Sequence, residues 1–372
     1  MNPKIQYTSE SNDILRFTLS GCDVSLANAI RRTILSDITQ LVFKTSGLDQ
    51  TNVSILTNTT NLNNEILKQR LSCIPIHTTP GQPLYDNYSD YIMELNVENT
   101  TDTILVVTTE DFVIRNKSTN ELITNTHEIF PPNVLTNSFI DLVRLKPQLS
   151  DELTGEKIQL SALFSLGTAK EDGMFNVAST ISYGFTVDAQ TNKTALVQKQ
   201  LDWKNEGKTD EMIEFETKNW QLLDGMRFTL LNSFDFIIET VGVYTNQQLF
   251  TKACDVLVEN LTKLLNITTT DKLDIKESNS TMNNCFDIIL HNQDYTIGKV
   301  LEYFIYSTLY HENVVSFCGF KLMHPHDEFG ILRVAYTKNI DRDNIHSNLS
   351  DIIQYAIVFF TRTRDRFLEE TN

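Results

Sequence analysis

Two histidines flank a proline at His324-Pro325-His326, with Asp327 directly after. Residues two apart on a strand point the same way and could share a metal ion. A structural zinc needs four ligands, and no further His or Cys lies near in sequence, so the segment reads as a turn. Cys73 and His77 form a lone Cys-x3-His pair, again short of a ligand set. Asp341-Arg342-Asp343 precedes a helical pattern and reads as a cap, whereas a two-metal catalytic centre needs clustered carboxylates. There is no Gly-x4-Gly-Lys-Ser/Thr loop to cradle phosphate, glycine is scarce at 13, and no serine or cysteine has a recognisable nucleophile setting. The sequence therefore predicts no catalytic residue, no cofactor and no metal in this chain. The polar residues that stand out are Arg31 and Arg32. Adjacent arginines leave a helix in different directions, so one can enter a partner while the other stays solvated. Their planar heads suit a protein interface.

The element that must position them is Asp23 to Ile38. Leu26, Ile30, Ile34 and Ile38 recur every four residues, widened by Ala27 and Leu35, which predicts an amphipathic helix. Ser25 is placed to cap it, with Asp23 near the positive end of the dipole. The pattern returns 271 positions later as Asp294-Tyr295-Thr296-Ile297-Gly298-Lys299-Val300-Leu301. Thr296 matches Ser25, Ile297 matches Leu26 and Gly298 matches Ala27. Upstream, Ile14 to Leu19 aligns with Cys285 to Leu290 at the same offset, each a strand entering a tight turn. An internal strand–turn–helix repeat suggests two related halves packed about a pseudo-two-fold axis.

Leu26-Ala27-Asn28-Ala29-Ile30-Arg31-Arg32-Thr33-Ile34-Leu35 resembles the marker helix of the bacterial alpha subunit of RNA polymerase and its eukaryotic counterpart, the third subunit. The second copy resembles the matching helix of the smaller partner, the eleventh subunit. Those are separate chains elsewhere, and their fusion resembles the combined subunit of large cytoplasmic DNA viruses. Further matches are Arg70-Leu71 with Ile74-Pro75-Ile76, Gly167-Thr168-Ala169-Lys170-Glu171, the Glu239/Val241/Gly242 pattern, and Gly319-Phe320-Lys321 with His324-Pro325. Coverage is weak at about 77–150 and 188–233.

The resemblance implies an α+β, alpha-subunit-type dimerisation fold with two pseudo-symmetric strand–turn–helix halves in one chain, plus an inserted β-rich domain. The expected layout is a third-subunit-like domain at 1–47 and 176–266, the insert at 48–175, a linker at 267–283 and an eleventh-subunit-like domain at 284–372. The intrachain dimer core is expected from Leu26, Ile30, Ile34, Leu257, Leu261, Ile297, Leu301, Ile353 and Ile357. Docking of the two largest polymerase subunits is expected from Asn28, Arg31, Arg32, Arg70, Lys170 and Glu171, with small accessory subunits at the edges. The catalytic magnesium ions of such a complex belong to the largest subunit. The zinc-binding cysteine cluster of many third subunits is expected to be absent, because Pro80 to Tyr91 holds no cysteine. A free-standing transcription adaptor with the same fold is the alternative, and a metal hydrolase using His324 and His326 a more distant one.

Composition agrees with a protein-facing role. The 372 residues carry 31 Lys+Arg against 48 Asp+Glu, a net charge of −17, which disfavours direct nucleic-acid contact over the general surface. Five scattered cysteines argue for a reducing compartment. No signal peptide or membrane span is expected. The resemblance of the fusion to the viral combined subunit implies a cytoplasmic location, a viral factory or virion if the source is viral, with the nucleus as the alternative. Elsewhere, residues 189–212 read as a polar loop, about 245–265 as a long helix, and Arg362, Arg364 and Arg366 as cations at a helix C-terminus.

Overall fold

The computed structural model describes residues 2–45, 52–148, 150, 154–270 and 272–371. The expected boundary at 47/48 lies outside the described residues. In chain order the first elements are β1 (Lys4–Ser11), β2 (Ile14–Ser20), α1 (Val24–Ser36), β3 (Gln40–Val42), β4 (Val53–Asn58) and α2 (Asn64–Ser72). Then come α3 (Pro83–Asp86), β5 (Tyr91–Glu98), β6 (Leu105–Thr108), β7 (Val113–Asn116), α4 (Thr126–Ile129), β8 (Asp141–Leu145), β9 (Lys157–Leu163), β10 (Ser165–Gly167) and β11 (Ala178–Val187). The remainder is α5 (Ala189–Asn205), α6 (Asp210–Leu222), β12 (Thr229–Thr240), α7 (Asn246–Thr269), β13 (Asp274–Glu277), β14 (Cys285–His291), α8 (Tyr295–Ile305), β15 (Val315–Lys321), β16 (Phe329–Tyr336) and α9 (Arg342–Thr371).

The chain divides into two compact units. One contains 1–34, 180–239 and 250–372; the other contains 35–179 and 240–249. The first unit holds two four-stranded sheets, ordered β1-β2-β12-β11 and β13-β14-β16-β15. Pairing along β2 is antiparallel on both sides, with Phe17 opposite Phe236 and Leu19 opposite both Ile5 and Phe234. The aromatic centre of this unit is Phe17, stacked on Phe236 at 5.2 Å and edge-on to Phe250 at 5.0 Å and Phe367 at 5.2 Å. Phe250 from α7 and Phe367 from α9 meet at 4.3 Å, so residues far apart in sequence close one core. Leu257, Leu261, Ile353 and Phe360 extend it along the same two helices.

Strand, turn and helix start at the same offset in both copies. β2 and β14 begin 271 apart at Ile14 and Cys285, and α1 and α8 begin 271 apart at Val24 and Tyr295. The turn residue is left-handed each time, Gly21 at φ +74 and Asn292 at φ +56. Glycine suits the first turn because a Cβ there would meet the Asn2 carbonyl oxygen at 2.5 Å; asparagine tolerates the same backbone region. The caps differ from expectation. Asp23 and Asp294 cap the helices, accepting the backbone N–H of Ser25 at 2.9 Å and of Thr296 at 2.8 Å. A carboxylate at that position satisfies an orphan N–H and also meets the positive end of the dipole, so it displaces the hydroxyl two residues on.

The second unit is β-rich, with a sheet ordered β4-β9-β5-β7 and the ribbons β6-β8 and β10-β3. Alternation on β9 buries Ile158, Leu160 and Ala162. They join Met93, Leu95 and Ile114 and the α2 residues Leu67 and Leu71 in one core.

Two stretches differ from the sequence expectation. Residues 189–212, read as a loop, form α5 and the start of α6. Asp188 and Thr209 cap the two helices, and Trp203, Ile213 and Trp220 close a small core between them. Its few apolar anchors are spread too thinly to show a helical stripe in sequence. The stretch read as a linker, 267–283, contains the last turn of α7 and the edge strand β13, of which Ile275 alone is buried. Among the described residues no helix is long and apolar enough to cross a membrane.

Candidate protein-docking site

The C-terminal half of α1 meets the N-terminus of α8 through polar groups. Arg32 leaves α1 with its Nη2 3.2 Å from Asp294 Oδ2, and its Nε–H donates to Thr296 Oγ1 at 2.8 Å. Both side chains of the ion pair are about one-third exposed, so solvent screens it and its worth is under about 1 kcal/mol. Its geometric value is larger, because it fixes the first turn of α8 against the last turns of α1. Arg31 points elsewhere. Its Nε–H donates to Asn28 Oδ1 at 3.0 Å, and its charge counteracts the effect of burial on the Tyr183 hydroxyl, whose pKa is nevertheless raised. The adjacent arginines thus diverge, one into the chain and one along the α1 surface.

Asp23 sits at the other end of the same arrangement. Burial first, then the Asp23 carboxylate, holds the Tyr303 hydroxyl above its ordinary pKa. Burial and the same carboxylate push the Cys22 thiol up to about 12, leaving it an inert core residue. Val24 and Tyr295, the first residues of the two helices, are 40% and 41% exposed.

The remaining residues expected to dock partners lie in the second unit. Arg70, exposed, donates from Nη2 to the Asp141 carbonyl at 2.6 Å. The Lys170 N–H donates to the Ser36 carbonyl at 2.9 Å, and Glu171 pairs with Lys44 at 2.6 Å. Of the residues expected in the core, Leu26, Ile30, Ile34, Leu257, Leu261, Ile297, Leu301 and Ile353 are buried, and Ile357 is half-buried. Sequence reasoning missed Asp23, Asp294 and Tyr303 as a group, although the 271-residue offset could have pointed to them. It also placed Arg364 at a helix end; the side chain instead joins Asp255 of α7 at 2.7 Å.

The groups weighed as metal ligands sit in simpler settings. The His324 N–H donates to Asp327 Oδ2 at 2.9 Å, and the His326 N–H to His324 Nδ1 at 3.2 Å, so one imidazole nitrogen braces the turn. Cys73 is exposed at the end of α2, while burial lowers the His77 pKa. Among the described residues no group of three or more His, Cys, Asp or Glu is placed to hold a metal ion.

A family model described as the RNA polymerase Rpb3/Rpb11 dimerisation domain matches residues 16–261. The chain is 23% identical over 301 residues to "DNA-directed RNA polymerases IV and V subunit 3B" of Arabidopsis thaliana, covering 70% of this chain and 89% of that protein. It is 33% identical over 131 residues to "DNA-directed RNA polymerases I and III subunit rpac1" of Dictyostelium discoideum, 35% of each chain. Over 88 residues it is 38% identical to "DNA-directed RNA polymerase subunit Rpo3" of Thermococcus kodakarensis, 23% of this chain and 31% of that one. The chain thus spans about a third of the length of the latter two, and the family match ends before β14.

Proposed function

Because the chain belongs to the Rpb3/Rpb11 dimerisation family, the alpha-type subunits of multisubunit DNA-directed RNA polymerase, we propose that it is a non-catalytic assembly subunit in which one chain supplies both members of the heterodimer. The observation that carries this reading is the Arg32–Asp294 contact, with a charge placed at the equivalent position of the other copy. Arg32 of α1 meets the Asp294 cap of α8, and Tyr303, 271 positions after Arg32, lies in the field of Asp23, 271 before Asp294. In an isologous interface, if residue i of one member meets j of the other, j of the first meets i of the second. Here Arg32–Asp294 joins two segments of one chain and the Asp23 charge acts on the equivalent Tyr303, which supports a pseudo-two-fold pairing of third-type and eleventh-type halves. Fusion makes that pairing intramolecular and fixes its stoichiometry.

In this reading Asn28 and Arg31 of the first unit, and Arg70, Lys170 and Glu171 of the second, dock the two largest polymerase subunits. Accessory subunits fill the edges, and the carboxylates for catalytic magnesium come from the largest partner. Arg32 acts within the chain. The net charge of −17 supports protein rather than nucleic-acid contacts. Fusion supports a viral source, hence a cytoplasmic factory or virion. The test is affinity purification of the tagged chain from its native source under high salt, with mass spectrometry of what is retained. Two very large chains at one copy each, in material that extends RNA, are expected, and Arg31→Glu should release them from a folded chain. Recovery of the chain alone would reject the polymerase role in favour of a free-standing adaptor.

A further inference from the structure

The α5–α6 hairpin carries more apolar surface than its own core uses. Trp203, Ile213 and Trp220 close that core, yet Met212, Phe215 and Leu222 of α6 remain 58%, 71% and 77% exposed. Large apolar side chains gathered on one exposed face mark a protein interaction surface. Met212, Phe215, Asn219 and Leu222 follow each other at spacings of three, four and three. That is the a/d pattern of a helix–helix seam, and it lies on the side of α6 away from Ile213 and Trp220. Glu211 and Lys218 border the seam on one flank, one heptad apart. Lys218 reaches Glu214 of its own helix at 2.8 Å, but both side chains are about 70% exposed, leaving that charge available. On the other flank Glu216 is held by Lys208 at 3.1 Å.

We propose that this seam docks a single amphipathic helix of another protein. That helix is apolar on its facing side, with a basic residue opposite Glu211, an acidic residue opposite Lys218 and an amide or hydroxyl opposite Asn219. A second copy of the chain fits less well. Pairing two α6 helices in parallel sets Glu211 against Glu216 of the second copy. Antiparallel pairing sets the Asn219 amide against Met212 or Phe215, where it loses water without gaining a partner. A lipid surface is disfavoured by the acidic charge of the chain. The inference rests on the hairpin alone and not on the polymerase reading.

The test titrates the full-length chain with a fluorescent synthetic helix of about three heptads. The helix has leucine at its seam positions, one glutamine opposite Asn219, and lysine and glutamate placed for Glu211 and Lys218. A second peptide carries those two charges exchanged. The first peptide should bind, and Phe215→Glu should weaken it about tenfold or more. The exchanged peptide should bind about threefold more weakly, with the preference reversed in the Glu211→Lys/Lys218→Glu chain. Both tryptophans of the chain lie in the hairpin, so unchanged emission certifies its fold in each variant. Should Phe215→Glu alter that emission, Leu222→Gln is read instead, with the same expectation. No binding, binding indifferent to the seam variant, or light scattering that finds a dimer dissolved by it would overturn the proposal.

Discussion

The two strand–turn–helix copies reach the same backbone by different side chains. Each has a left-handed turn residue, then an aspartate cap, then a helix with one buried stripe. The fourth helical position separates them. The first copy has Ala27, buried and accommodated. The second has Gly298, where an added Cβ would come within 2.3 Å of the Phe320 ring. That ring cannot retreat, since Gly330 on its other side offers equally little room, 2.1 Å from the ring to a built Cβ. The second helix therefore lies against its own sheet through a buried aromatic wedge, which the main-chain N–H of Phe320 secures by donating to Glu302 at 2.7 Å. The position of the arginine in the first copy is a tyrosine in the second. The backbone plan is held in common, and the packing that makes each half distinct is local.

Experiments can stress this comparison. The largest effect should come where the halves share a core. Phe367→Ala removes a ring packed on Phe17 and Phe250 and should cost about 4 kcal/mol in denaturant unfolding. Next, Gly298→Ala should cost about 2–3 kcal/mol through the clash with Phe320, and Phe320→Leu in the same chain should recover part of it. The reverse change in the first copy, Ala27→Gly, should cost only about 1 kcal/mol, the helix-propensity difference. Equal costs at the two positions would mean the copies pack alike.

How much of this was legible follows from where each signal resides. The helices α1 and α8 announced themselves because their stripes are wide and repeat at a fixed offset. The cap position was misread because both Asp23 and Ser25 are good caps by type, and only the backbone decides which oxygen faces the N–H. The hairpin α5–α6 was invisible because only three residues are buried in its core while Met212, Phe215 and Leu222 face outward, which blurs any period. The Arg32–Asp294 contact bridges more than 250 residues, and no local pattern encodes such a distance; the divergence of Arg31 and Arg32 was legible, their destinations were not.

Smaller effects sharpen the polar side of the comparison. A double-mutant cycle with Arg32→Ala and Asp294→Ala should give a coupling of about 0.5–1 kcal/mol, most of the Asp294 loss being its cap. Arg333 provides a pH-dependent case within the second sheet. Its guanidinium grips Asp287 at 2.6 and 2.8 Å, and that hydrogen bonding holds the carboxyl below its usual range. A depressed carboxylate pKa stabilises the fold fully above the unfolded value near about 4 and loses that contribution as pH falls through the folded value. Asp287→Asn should thus destabilise at pH 7 by about 1 kcal/mol, and the gap from the parent chain should close as the medium is acidified.

In the proposed function two halves of one chain pair as a dimer that needs no covalent tie. That pairing is tested most directly by placing a protease site between Thr270 and Lys272, cutting the folded protein and measuring the mass of the product in solution. A single particle of unchanged mass containing both fragments is expected, since the Phe17–Phe250–Phe367 core and the Arg32–Asp294 pair cross the cut. Separation into two smaller species under native conditions would contradict it.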